Sequence, residues 1–173
     1  MLPDPLHPLI VHFPIALVVL LPLFALGALW LIHRGGAPRK IWALPVAVAA
    51  LLAVSSWVAV ETGEQQEDRV EQVVGDAPMH AHKEAAETFL LLSGALLVLA
   101  AAGLAPGKLG GAVRIAATVG AVALIGAGVQ VGKSGGDLVY RHGAASAYTD
   151  GARVTASGEE LPETVRRDRD VDR

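Results

Sequence analysis

The run from Leu9 to Ile32 is twenty-four residues long and contains no Asp, Glu, Lys or Arg. A helix needs about 20 apolar residues to cross the hydrocarbon core of a bilayer, so this run is long enough to span it. A signal peptide is the competing explanation, but Met1 to Pro8 carries no Lys or Arg, and a signal's apolar region runs only about 7 to 15 residues. The segment is therefore expected to stay in the protein as a membrane helix. Three more apolar runs follow at about residues 41–60, 85–104 and 112–131. Backbone groups in lipid must pair within their own segment, which leaves the helix as the form for all four. The expected fold is all-α, a four-helix transmembrane bundle of up-down-up-down topology over residues 1–143. The tail, residues 144–173, is polar, mixed in charge and without apolar period, so it is expected to be disordered.

Composition supports this reading. Hydrophobic residues make up 53% of the chain and charged residues 18%, which is too apolar for an ordinary soluble domain. The net charge is −3 and there is no block of Lys or Arg, so a nucleic-acid partner is excluded in favour of the lipid bilayer. Cysteine is absent, which removes disulfides, thiolate metal sites and covalent haem attachment. A ligand must be held by histidine, carboxylate, carbonyl or shape.

Short loops set the orientation. Arg34, Arg39 and Lys40 lie between the first two runs, and the segment from Ala105 to Arg114 that leads into the fourth carries Lys108 and Arg114, so these loops are expected to be cytoplasmic. The segment Glu61 to Lys83 has only two basic residues beside six acidic ones, and both termini are expected to share its non-cytoplasmic side. The expected location is the inner, or plasma, membrane of a bacterium, crossed several times.

With that orientation, His7, His12, His80, His82 and His142 all fall near the outer helix ends, and His33 alone lies inside. His12 stands within an apolar run, where an ionisable group is costly enough to be a candidate for function. His80 and His82 are two residues apart on a helix and point in different directions. Glu84 stands four residues after His80, where it can orient an imidazole or bind beside it; Glu84 and Glu87 equally suit a helix N-terminus. Glu61, Glu64, Asp68 and Glu71 recur at three- and four-residue steps, so the second helix is expected to continue beyond the membrane with an acidic stripe. The chain also reads as two hairpins, each entering at an outer histidine and turning through a Gly/Pro/basic loop, with His12 and His82 in equivalent places. On diagonal helices these two can face each other and clamp one metal or one haem iron. A di-iron carboxylate site is excluded, because no helix carries Glu-x-x-His. No nucleophile motif or phosphate loop is present, so no catalytic residue is assigned.

The string His7-Pro8-Leu9-Ile10-Val11-His12-Phe13-Pro14-Ile15-Ala16-Leu17 and the string Gly135-Gly136-Asp137-Leu138-Val139-Tyr140-Arg141-His142-Gly143 resemble the bacterial membrane family called domain of unknown function 2231. The resemblance covers about residues 5 to 148. It implies a four-helix membrane protein, with His7, His12, Phe13, Pro14, His82, Gly136, Tyr140, His142 and Gly143 at the family's recurrent positions. Lys83 stands where relatives commonly carry an acid. Fusion of some relatives to cytochrome c-like domains points to electron transfer, although the family implies no settled activity.

The leading expectation is a b-type haem protein that passes electrons between a periplasmic cytochrome and a quinone or an oxidase, with His12 and His82 as the ligand pair. His7 and His142 are expected as partners for a second haem or as groups that support the ligands. The alternative is a divalent copper, zinc or iron site built from His80, His82, Glu84 and His142 beside Met79. A third expectation is a structural or assembly subunit whose Gly-rich fourth helix packs on a partner or on its own copy as a homo-oligomer.

Overall fold

The computed structural model describes residues 6–148, which contain six α-helices and no strand. Four segments are long and apolar enough to cross a membrane: His7–His33, Pro38–Glu64, Asp76–Ala102 and Gly107–Tyr140. The first is divided into α1 (His7–Ile10) and α2 (His12–His33) by a turn at Val11. Pro14 accounts for the break: it has no N–H to offer the Ile10 carbonyl, so the ladder is interrupted where α2 begins. The other spans are α3 (Pro38–Glu64), α5 (Asp76–Ala102) and α6 (Gly107–Tyr140). Pro78 falls in the first turn of α5, where a missing N–H costs nothing, so α5 starts well before the expected apolar run.

Around the bundle α2 packs on α3 and α6, and α5 packs on the same two helices. The first and third spans are therefore diagonal. The core comes from residues at three- and four-residue steps, such as Val18, Leu21, Ala25 and Ala28 on α2 and Phe89, Leu96 and Ala100 on α5, the seam of near-antiparallel helices. Large apolar side chains elsewhere face outward, among them Leu23, Leu51, Leu91, Val98 and Val119. In water such a surface would aggregate; against acyl chains it is the matching one. Trp30 and Trp57 are exposed toward the C-terminal ends of their antiparallel spans, hence toward opposite ends of the bundle, where indole rings settle at membrane interfaces.

The end that carries the α2–α3 and α5–α6 loops is fixed by one buried cation. Arg114 is only 5% exposed; its Nε donates to the Gly103 carbonyl at 2.8 Å and its Nη2 to the Ala105 carbonyl at 3.1 Å. These carbonyls follow the end of α5, where unpaired acceptors and the negative end of the helix dipole favour a guanidinium. Arg114→Leu keeps much of the volume but strands both acceptors. It is expected to cost about 2–4 kcal/mol, checked as a lowered midpoint in a detergent-unfolding titration.

The acidic stripe does not prolong the second span as expected. α3 stops at Glu64 and the chain turns into a separate helix, α4 (Glu67–Val74). Val70 and Val74 are buried against Leu138 and Ala144, and that apolar contact outweighs a straight continuation into water. Gly75, with φ of 82°, supplies the left-handed turn that brings the chain back into α5. A second difference lies after α6. Residues 144–148, assigned above to the tail, pack on α4: Ala144 is buried and the Tyr148 hydroxyl donates to Gln66 Oε1 at 3.0 Å. The rest of the expected tail, 149–173, lies outside the described residues.

Candidate functional site

Antiparallel threading brings the start of α1, the end of α3, the start of α5 and the end of α6 to one end of the bundle. There the rings of His7 and His82 approach each other, with centres 6.5 Å apart and planes at 84°. His7 and His82 sit on diagonal spans and meet because each leans toward the bundle axis.

Each imidazole is held by its Nδ1. His7 donates from Nδ1–H to the Ala59 carbonyl at 2.9 Å, with the Thr62 hydroxyl oxygen a further 3.5 Å neighbour. His82 Nδ1 lies 2.9 Å from Ser134 Oγ. Ser134 gives its single hydroxyl hydrogen to the Val131 carbonyl at 2.9 Å, so its oxygen is left to accept from His82. His7 thus carries N–H at Nδ1 and a lone pair at Nε2, and His82 carries the same tautomer when the Ser134 hydroxyl is turned to Val131. Neither Nε2 has a hydrogen-bond partner among the described residues. Each ring also rests on a glycine. A Cβ at Gly63 would lie 3.1 Å from His7 Cε1, and one at Gly135 would lie 3.1 Å from His82 Cε1.

Both rings line a cavity of about 420 Å³. Its walls are mainly apolar, from Pro8, Val70, Met79 and Leu138, and α4 with the 144–148 segment forms its outer side. At the rim Lys83 Nζ donates to Glu67 Oε2 at 2.8 Å and lies 3.7 Å from Glu64 Oε1, so two carboxylates face one ammonium. A volume of this size, apolar walls and a few convergent polar atoms are the usual features of a small-molecule or cofactor site.

The pairing differs from the one expected. The ring beside His82 is that of His7, not that of His12. His12 stands at the start of α2, exposed on the outer surface of the bundle. The expected metal set is also dispersed. His80 and Glu84 are exposed on α5; His142 is exposed beyond α6 and donates from Nδ1 to the Asp137 carbonyl at 3.1 Å. Among the described residues no group of three or more His, Asp or Glu is close enough to hold a metal ion. The family described as a predicted membrane protein, DUF2231, matches residues 3–147. The chain belongs to that family. No curated protein and no solved structure matches it. The two end motifs of this DUF2231 member supply, from one, His7 and Pro8, and from the other, Gly135 and Leu138, all four on the cavity wall. Ala59, Gly63 and Ser134, which seat the imidazoles, carry no motif of their own. The signal that could have found them is spacing: His7 to Ala59 and His82 to Ser134 are both 52 residues apart, one histidine and one partner per hairpin.

Proposed function

We propose that this integral membrane protein is an electron-transfer protein in which His7 and His82 hold the iron of a b-type haem near the outer end of the bundle. The carrying observation is the pair of unshared Nε2 atoms on rings 6.5 Å apart. Two imidazoles on one ion, at about 2 Å per metal–nitrogen bond, have ring centres roughly 5 to 6.5 Å apart, so His7 and His82 are spaced as two residues that would hold one iron. Nδ1–H bonds to Ala59 and Ser134 orient the rings and strengthen Nε2 as a donor to metal. The glycines make room for the two rings, and the apolar walls suit a largely apolar group. Bound haem would supply one-electron chemistry; the chain itself supplies the two ligands, their orientation and an apolar surrounding. Its partners in this reading are a periplasmic cytochrome on one side of the exchange and a quinone on the other, in a bacterial plasma membrane.

Two observations favour a second reading, a bare copper, zinc or iron ion. Met79 adds a thioether to the cavity wall, and the rim has two carboxylates for one ammonium, which attracts cations. One preparation distinguishes the two. Detergent-purified protein from haem-supplied cells is expected to be red, with a Soret band that shifts on reduction and about one haem per chain. Colourless protein with stoichiometric copper, zinc or iron selects the ion, and colourless metal-free protein leaves the structural-subunit role.

A further inference from the structure

A second cavity lies on the outer surface of the bundle, between the start of α2 and the middle of α3. It is a groove of about 550 Å³, walled by Phe13 and Ala16 on one side and Leu51 and Val54 on the other, with His12 and Ser55 as its polar groups. His12 is exposed there, and neither of its ring nitrogens has a partner among the described residues. Ser55 gives its hydroxyl hydrogen to the Leu52 carbonyl at 3.0 Å and keeps lone pairs free. An imidazole on a lipid-facing surface is costly without a partner, and in the bilayer the groove opens onto acyl chains. Its occupant is therefore an amphiphile from the membrane.

The lining narrows the class. No Lys or Arg contributes to it, so a phosphate head group finds no counter-charge. The imidazole can donate or accept toward a neutral head, and Phe13 beside it offers a flat face for ring stacking. Below them the apolar walls extend toward the bilayer centre and accept a hydrocarbon chain. We propose that this groove binds an isoprenoid quinone or quinol, with the ring at His12 and Phe13 and the tail along Ala16, Leu51 and Val54. The groove stands on its own residues, whatever His7 and His82 hold; the two sites are separated by about one and a half helical turns along the first span.

Photolabelling with an azido-substituted ubiquinone, followed by peptide mapping of the full chain in phosphatidylcholine nanodiscs, tests this. Label is expected within residues 12–17 and 51–55, saturable and displaced by unlabelled decylubiquinone but not by phosphatidylglycerol. His12→Leu removes one hydrogen bond from a surface position and is expected to weaken displacement about fivefold. Ala16→Trp, which fills the groove from the lipid side, is expected to abolish site-specific label. Labelling that rises without saturation, or that phosphatidylglycerol displaces equally well, overturns the proposal. Because the readout is a labelled peptide, it fails or succeeds separately from any haem spectrum.

Discussion

His82→Ala is expected, on the proposed haem ligation, to lower haem per chain below about a tenth of the wild-type value, equivalent to more than about 1.4 kcal/mol of lost affinity. His7→Ala is expected to do the same. The cause is geometric: each ring supplies one of the two Nε2 atoms beside the cavity. His12→Ala is the control that separates the pair found in the structure from the pair expected from sequence, because His12 faces outward and its loss is expected to leave the Soret band intact. Haem content by pyridine haemochrome, beside circular dichroism to verify folding, checks all three. Retention of haem in His7→Ala together with its loss in His12→Ala would restore the original pairing.

Trp42→Ala is expected to be the most destabilising single change, by about 3–5 kcal/mol. Trp42 is completely buried and fills the space between α3, α5 and α6 at the loop end of the bundle. Its Nε1–H donates to the Ala100 carbonyl at 2.9 Å, one of the last acceptors of α5. Alanine removes the indole, opens a cavity and deletes one of two hydrogen bonds to that carbonyl, which still accepts from Gly103 N–H at 3.0 Å. Trp42→Phe keeps much of the packing and loses only the hydrogen bond, so it is expected to cost about 1 kcal/mol. The difference between the two unfolding midpoints reports packing apart from bonding. Equal midpoints would mean that the side chain's volume contributes nothing, contrary to its burial.

The four spans were legible because hydropathy over twenty residues is set by lipid thickness, a constraint that tertiary detail does not override. Boundaries were less so. α6 runs on to Tyr140 through Lys133, Ser134 and Asp137, polar residues that hydropathy excludes but that a helix emerging from the membrane readily carries. The break between α3 and α4 was hidden for a similar reason: Glu61, Glu64, Asp68 and Glu71 keep helical steps on either side of the turn, and only the burial of Val70 and Val74 reveals the change of direction. At the site, the rule that an ionisable residue inside an apolar run is functional directed attention to His12. His7 lies before that run, so its value depended on what α3 and α5 bring near it, which no local pattern contains. His12 then finds its place as the polar end of a lipid-facing groove.

That His7 and His82 both carry an unshared Nε2 is measurable directly. Long-range proton–nitrogen correlation spectra of ring-labelled histidine, recorded on ligand-free protein in detergent above the imidazole pKa at about pH 8, distinguish the two neutral tautomers. His7 and His82 are expected to show N–H at Nδ1, with Ser134→Ala releasing His82 alone from that state. N–H at Nε2 on either ring in the wild-type protein would contradict the two-acceptor site.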